Sequence, residues 1–352
     1  MAVPNPSARR RRIPRVYPEA RASGYEARMS PLEVHAKSPA GRLLRAAWQP
    51  VARSVDLPKA GILSLRVLSQ DWTLWRSEDG IPVLTEAFCP HRGTKLSLGR
   101  VQGEQLVCHH HGMCFDRFGR SNNTFSICAP PLQERGGLIF AWLGEEEAAA
   151  FPPIPELLGP VRVLAPERWP CSFYSRLQNS LDIAHVAHAH RRSGLASLLS
   201  EGWESTVEEE NSGFVLHLSA GGKELPTIRF VMPNRLEFFT PVSPELGWRK
   251  HIVWRVPQDA ETCVSFTVAS LPAPEAAPAP LARPFAPSRV AELGQALLEG
   301  QLRWEELQTE HLTEVEDYVA LCGGPAALWP SEEEPGLAAL WALWKSASTE
   351  AG

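Results

Sequence analysis

Two short stretches decide how this sequence is interpreted. Cys89–Gly93 is C-P-H-R-G, and Cys108–Gly112 is C-H-H-H-G. Each stretch places a histidine shortly after a cysteine and ends in a glycine, which permits a tight bend of the backbone. The residues with ligand-type spacing are Cys89, His91, Cys108 and His111. One thiol and one imidazole on each of two loops predict a metal centre.

The mixture of donors on each loop indicates the kind of centre. A Rieske-type [2Fe–2S] cluster has two thiolates on one iron and two imidazoles on the other, and neutral imidazole raises the reduction potential. A structural zinc site can also use two cysteines and two histidines, but its pairs usually join like with like. Because both loops mix Cys with His, the pattern favours the Rieske cluster. His109 and His110, inside the second loop, are interpreted as surface residues or as neighbours of the ligands.

With these motifs the chain resembles the Rieske non-haem iron oxygenases, from Trp48 to the mid-280s. The resemblance implies an α+β fold, in which an all-β Rieske [2Fe–2S] domain precedes a catalytic domain of antiparallel sheet plus helices. The expected division is a basic, disordered arm at 1–40, the Rieske domain at 41–150, a linker at 151–165 and the catalytic mononuclear iron domain at 166–352.

Local patterns agree with this architecture. Short alternating runs between Gly and Asp-Gly predict antiparallel strands in both halves. The strands predicted in the second half are Phe214–Ala220, Ile228–Met232, Arg235–Thr240, Trp248–Val256 and Thr262–Leu271. Near the C-terminus, one long helix is predicted from Ser288 through Leu321, and a last helix at Gly336–Ser346.

Composition limits the class of protein and its location. The 352 residues include 35 basic and 40 acidic side chains, and the net charge of −5 gives no indication of a nucleic-acid partner. No stretch of eighteen apolar residues exists, so no membrane span is expected. The seven cysteines follow no disulfide framework, which is typical of a reducing cytoplasm.

A second group of metal-ligand residues lies in the predicted catalytic domain. Asn179, Asp182, His185, His188 and His190 fall within twelve residues of a predicted helix. Two histidines and one carboxylate on Fe(II), with other positions open for O₂, form the facial triad of non-haem oxygenases. Helix geometry alone favours His185 with His188, which are three residues apart. The family motif N-x₂-D-x₂-H-x₄-H instead implies His185 and His190, with a wound-out helix between them.

The resemblance also implies roles for Asn179 and Asp182 as catalytic residues. In the family, the aspartate of this motif bridges an iron-bound histidine and a Rieske histidine of the next subunit in a ring. Here it would link His185 to His111 of the partner subunit. The resemblance therefore implies a homotrimer in which electrons cross between chains through Asp182.

The carboxylate that completes the triad is less clearly marked. The family supplies an Asp on the C-terminal long helix, but no Asp lies between Asp259 and Asp317. The resemblance to the family's spacing, with Glu310 and Tyr318 as companions, implies Glu305 as the metal ligand. Glu306, Asp317 and a site completed by water remain as alternatives. A glutamate-rich helix face that is merely solvated is the ordinary alternative interpretation.

The resemblance implies an oxygenase component that oxidises a hydrophobic, ring-containing small molecule with O₂. Hydroxylation, demethylation and N-oxidation are all open. The sequence contains no nucleotide-binding motif, so a separate reductase, with or without a ferredoxin, is expected as the electron donor. The alternative is an electron-transfer or metal-binding protein that has only the first metal centre.

Overall fold

A computed structural model gives the structure, and it describes residues 32–121, 124–192, 199, 201–243, 247–270, 287–307, 312–323 and 334–350. Most of the expected N-terminal arm, residues 1–31, lies outside this part of the chain. Its last residues do not form a loose arm. Val34 and Ala40 are each only 1% exposed, and helix α1 (Pro39–Arg45) begins there, with the Ser38 hydroxyl accepting from the backbone N–H of Gly41.

Three small antiparallel sheets follow α1. Their strand orders are β2-β3-β4, β5-β6-β7 and β1-β9-β8. The strands are β1 (Gln49–Arg53), β2 (Ile62–Val67), β3 (Gln70–Arg76), β4 (Pro82–Glu86), β5 (Arg100–Gln102), β6 (Gln105–Val107), β7 (Cys114–Phe115), β8 (Leu132–Arg135) and β9 (Leu138–Ala141). The two predicted cluster loops lie at β4–β5 and β6–β7. This half of the chain is therefore built from strands, as predicted.

The second half contains one large antiparallel sheet. Its order is β10-β17-β16-β15-β14-β13-β12, and β11 also pairs with β17. The strands are β10 (Val161–Val163), β11 (Glu167–Trp169), β12 (Trp203–Glu210), β13 (Gly213–Ala220), β14 (Lys223–Val231), β15 (Arg235–Ser243), β16 (Gly247–Pro257) and β17 (Cys263–Ser270). All five strands predicted here are present, which confirms the fold class.

Five further helices accompany this sheet in the described part of the chain. They are α2 (Phe173–Leu181), α3 (Ile183–Ala189), α4 (Pro287–Leu298), α5 (Leu312–Cys322) and α6 (Pro335–Glu350). Helix α6 matches the predicted last helix. No helix among the described residues is long and apolar enough to cross a membrane.

The single long helix predicted from Ser288 to Leu321 is wrong. Helix α4 ends at Leu298, and Gly300 just beyond it has a φ of +70°, a left-handed conformation that glycine adopts without steric cost. The N–H of Gln301 donates to the carbonyl of Ala296 at 2.8 Å, as in a Schellman helix end. A 3₁₀ turn at Trp304–Glu306 follows, and α5 begins only at Leu312.

Buried apolar side chains of the described residues form two cores. The larger core includes residues from both halves; the ring of Phe140 in β9 lies 5.4 Å from that of Trp254 in β16. A buried hydrogen bond of 2.8 Å from Asn234 to Gln49 also joins the halves. The smaller core lies beneath the two cluster loops and contains Cys89 and Cys108.

Candidate metal centres

The two cluster loops have the same pattern of backbone hydrogen bonds. The N–H of Cys89 donates to the carbonyl of Thr94 at 2.9 Å, and the N–H of Cys108 donates to that of Met113 at 2.8 Å. The N–H of the glycine four residues after each cysteine donates back to that cysteine's carbonyl, at 2.8 Å and 3.1 Å. Both glycines have a positive φ, +67° for Gly93 and +68° for Gly112. The glycines predicted to permit tight bends therefore do so.

In both loops the thiol is buried and the imidazole is exposed. Cys89 and Cys108 are 3% and 2% exposed, whereas His91 and His111 lie on the surface with their rings 4.7 Å apart. Two buried thiols and two exposed imidazoles on adjacent loops fit a [2Fe–2S] cluster whose histidine-bound iron faces outward. The neighbouring ring of His110 interacts instead with the hydroxyl of Thr94, at 3.1 Å.

The second predicted group converges on one point. Ligand atoms of His185, His190 and Asp317 all lie within 4.8 Å of one another. The Nε2 atoms of the two histidines are 3.1 Å apart, and Oδ1 of Asp317 lies 3.1 Å from Nε2 of His190 and 3.6 Å from Nε2 of His185. His188 is exposed on α3 and lies outside this group. Two imidazoles and a carboxylate are the donor set of the facial triad.

The histidines approach each other because the helix breaks before them. Asp182 ends α2 and caps α3, where its Oδ1 accepts from the backbone N–H of His185 at 3.1 Å. Aspartate is a favoured cap because its carboxylate satisfies a free helical N–H. His190 follows the last residue of α3. The wound-out segment expected between His185 and His190 is therefore absent, and the break lies at Asp182.

Each imidazole is oriented through its other nitrogen. Nδ1 of His185 donates to the backbone carbonyl of Asp182, and Nδ1 of His190 donates to Oε2 of Glu316 at 3.0 Å. Both Nε2 atoms are thereby directed towards Oδ1 of Asp317. Such partners are the usual means by which a protein fixes the tautomer and orientation of a metal-binding histidine.

The carboxylate of Asp317 is held from the other side. Nη1 of Arg176 lies 3.1 Å from Oδ2, and Nδ2 of Asn179 donates to Oδ1 at 3.0 Å. Burial opposes ionisation of Asp317, but hydrogen bonds from both histidines and the charge of Arg176 hold its pKa well below its usual range. The group is therefore a carboxylate, the form that binds a cation.

The expectation that Glu305 lies at this site is not met in the structure. Glu305 is exposed on the turn at Trp304–Glu306, and Oε2 of Glu306 accepts from the backbone N–H of Arg303 at 2.9 Å. The spacing that favoured Glu305 assumed one continuous helix, which the chain does not form. Glu310, which the same family spacing implies as a companion of Glu305, lies outside the described residues. Asp317, one of the alternatives, takes the place beside the histidines.

Sequence reasoning did not find Glu316 or Arg176. Both are buried, at 4% and 5% exposure, and the guanidinium of Arg176 lies 4.0 Å over the ring of Trp169. A signal was present for Glu316, because it and Asp317 are adjacent acidic residues between the apolar Val315 and Tyr318. Buried carboxylates in such a place need a specific partner.

The comparisons with known proteins cover both halves of the chain. The family model of the Rieske [2Fe-2S] domain matches residues 47–130. Chloroplastic chlorophyllide a oxygenase of Arabidopsis thaliana is 30% identical over 171 residues, which are 46% of this chain and 31% of that protein. The alpha subunit of phenoxybenzoate dioxygenase of Ectopseudomonas oleovorans is 36% identical over 124 residues, 31% of this chain and 30% of that protein.

A third relative is the oxygenase subunit of phthalate 4,5-dioxygenase of Pseudomonas putida. It is 28% identical over 198 residues, which cover 48% of this chain and 44% of that protein. The chain thus matches less than half of the length of each of these three relatives.

Solved structures extend the similarity to most of the chain. Dicamba monooxygenase bound to dicamba has a TM-score of 0.62 and 18% identity, and covers 87% of this chain and 98% of its own. The terminal oxygenase of carbazole 1,9a-dioxygenase from Nocardioides aromaticivorans IC177 has a TM-score of 0.60 and 16% identity, with 88% and 96% covered. The chain carries a Rieske [2Fe–2S] domain, resembles oxygenase subunits in sequence, and has the fold of the Rieske non-haem iron oxygenases.

Proposed function

We propose that the chain is the oxygenase component of a Rieske-type monooxygenase or dioxygenase that oxidises a hydrophobic, ring-containing small molecule with O₂. The observation that carries this proposal is the convergence of His185, His190 and Asp317, for which an electron carrier has no use. When bound, the [2Fe–2S] cluster supplies single electrons and the mononuclear iron activates O₂. Cys89, His91, Cys108 and His111 would hold the cluster.

The surrounding residues prepare the second site for its metal. The carbonyl of Asp182 and the carboxylate of Glu316 orient the two imidazoles, while Arg176 and Asn179 fix the orientation of the Asp317 carboxylate. Preorganised ligands reduce the reorganisation that metal binding requires. We assign Asn179 this positioning role in place of a direct contact with substrate.

The relatives support a ring-containing substrate. Phenoxybenzoate dioxygenase and phthalate 4,5-dioxygenase are named for aromatic compounds, and one similar solved structure is bound to dicamba. The similar proteins include both dioxygenases and a monooxygenase, so their names do not specify one type of oxidation. We propose oxidation of an aromatic ring or of a substituent on it.

The assembly we propose is a cytoplasmic homotrimer served by a separate reductase, with or without a ferredoxin. Asp182 would connect His185 with His111 of the partner subunit. His111 is exposed, as such a contact requires. The division into a Rieske domain at 41–150, a linker at 151–165 and a catalytic domain at 166–352 is part of the same proposal.

Iron counting tests the function. Protein reconstituted with iron and sulfide should contain three irons per chain and show a rhombic Rieske EPR signal when reduced. Asp317→Ala should lower the count to two and leave the EPR signal unchanged. Glu305→Ala is the matched control, and it should keep three irons.

Other counts would overturn parts of the proposal. Two irons in the wild type would identify an electron carrier, and a colourless, zinc-loaded protein would refute the cluster as well. Loss of iron from Glu305→Ala but not from Asp317→Ala would return the ligand role to Glu305.

A further inference from the structure

Arg249 on β16 is a buried arginine, and the described residues of the chain supply no counter-charge for it. Its side chain is 6% exposed, and its Nε atom is buried without a hydrogen-bond partner. Among the residues that the structure describes, no carboxylate forms an ion pair with it. An unpaired buried charge is costly, and proteins rarely keep one unless a partner arrives from outside.

The side chain of Arg249 lies on the face of the sheet that faces the candidate iron site. Alternate residues of a strand share a face, so Arg249, His251 and Arg255 point to the same side. Nη2 of Arg255 donates to the hydroxyl of Ser180 at 3.3 Å, and Ser180 belongs to α2, the helix that leads directly to His185. Strand β16 therefore contacts helix α2 through Arg255, and the same strand carries Arg249.

His251 adds a second donor beside Arg249. Burial, and then the charge of Arg249, lower the pKa of His251 to about 4, so the imidazole is neutral at neutral pH. Nε2 of His251 lies 2.9 Å from the hydroxyl of Thr240. When that hydroxyl donates to Nε2, the proton of the ring is on Nδ1, which is then free to donate.

An apolar surface lies against the same donors. The ring of Phe238 on β15 is stacked on that of His251, with 5.4 Å between the centroids and an angle of 8° between the planes. The neighbourhood thus combines a guanidinium, a neutral imidazole and an aromatic face. A guanidinium binds a carboxylate through two parallel hydrogen bonds, which makes the pair both strong and directional.

We propose that Arg249 and His251 bind a carboxylate of the organic substrate, so that the enzyme acts on an aromatic acid. This inference rests on the proposed oxygenase function and specifies its substrate class. Arg249 would supply the charge, His251 one neutral hydrogen bond, and Phe238 a face for the ring. The same contacts would give Arg249 the counter-charge that the described part of the protein does not supply.

The test compares an acid with its neutral amide. Binding of 2-naphthoate and 2-naphthamide to the cluster-loaded and iron-loaded protein is measured by isothermal titration calorimetry, without turnover. The wild type should prefer the acid, and Arg249→Met should weaken naphthoate binding by about 10- to 100-fold while leaving naphthamide unchanged. Arg229→Met, an exposed arginine of the same sheet, is the matched control and should bind both as the wild type does.

Thermal stability distinguishes a binding role from a structural one. Removal of an unpaired buried charge should keep or raise the Tm of Arg249→Met. A lowered Tm together with an unchanged preference for the acid would make Arg249 structural and overturn the proposal, as would a wild type that binds acid and amide equally.

The iron count separates this proposal from the proposed function. Three irons without a preference for the acid would refute the carboxylate site alone. A preference for the acid in a protein with two irons would refute the oxygenase and leave the anion site.

Discussion

The contact between Glu316 and His190 gives a quantitative prediction for Glu316→Gln. Oε2 of Glu316 accepts from Nδ1 of His190 at 3.0 Å, and the residue is 4% exposed. Oε1 is buried without a hydrogen-bond partner, so within the described structure the carboxylate acts mainly on this one imidazole. Glutamine keeps the shape and an acceptor oxygen but removes the charge, and should therefore weaken, without abolishing, the orientation of His190.

The size of the effect follows from this geometry. Loss of a partner that orients a metal-binding histidine costs about 10- to 100-fold in metal affinity. Glu316→Gln should fall near tenfold, roughly 1.4 kcal/mol, because a neutral hydrogen bond remains. Glu316→Ala removes the bond and should approach the upper end of the range.

Competition with a chelator measures the change. Anaerobic Fe(II)-loaded protein is titrated with ferrozine, and the mononuclear iron is distinguished from the cluster by the unchanged Rieske absorption. Glu305→Gln, on the exposed turn, is the matched control and should hold iron as the wild type does. Equal iron affinity in Glu316→Gln and wild type, or an equal loss in Glu305→Gln, would refute this reasoning.

Three further changes test other parts of the structure. A Cβ at Gly294 of α4 would lie 2.2 Å from Cδ1 of Tyr318, so Gly294→Ala should separate α4 from α5 and lower the free energy of unfolding by about 1–3 kcal/mol in urea titrations; an unchanged midpoint would contradict this packing. Asp182→Asn should leave both metal sites loaded but slow single-turnover oxidation of the reduced cluster, whereas unaffected turnover, or an active monomer, would exclude the route between subunits. Because the folded-state pKa of His251 is lowered to about 4, its contribution to stability is complete above pH 6.5 and is lost as the pH falls towards 4, by up to about 3 kcal/mol. Urea titrations of His251→Gln should show a smaller loss of stability over this pH range, and equal losses in both proteins would contradict the assignment.

Local motifs were the part of the site that could be predicted from the sequence. The cluster loops place their four ligand-type residues within two five-residue turns, and each turn closes on its own glycine. The choice of His185 and His190 also rested on a short motif. In both cases the information is contained in a few consecutive residues.

The carboxylate depended on contacts distant in sequence. Asp317 lies on α5, which begins at Leu312 after α4 has ended at Leu298, and a spacing rule along one helix cannot include that break. Strand β12 was missed for a related reason. Its sequence, W-E-S-T-V-E-E-E, has two large apolar residues, and it is a strand because its backbone pairs with β13 along eight residues.

The separate core beneath the cluster loops affects how the protein opens. The sheet β1-β9-β8 shares its buried side chains with the large sheet of the second half, whereas Cys89, Cys108, Trp75 and Phe115 pack among themselves. Regions with their own small core open in local fluctuations that leave the remainder folded. Amide hydrogens of the two loops should therefore exchange with solvent faster than those of β9 and β16, and more so once the cluster has been lost. The boundary between the region that opens locally and the rest of the fold therefore lies within the first half of the chain, at the base of the cluster loops.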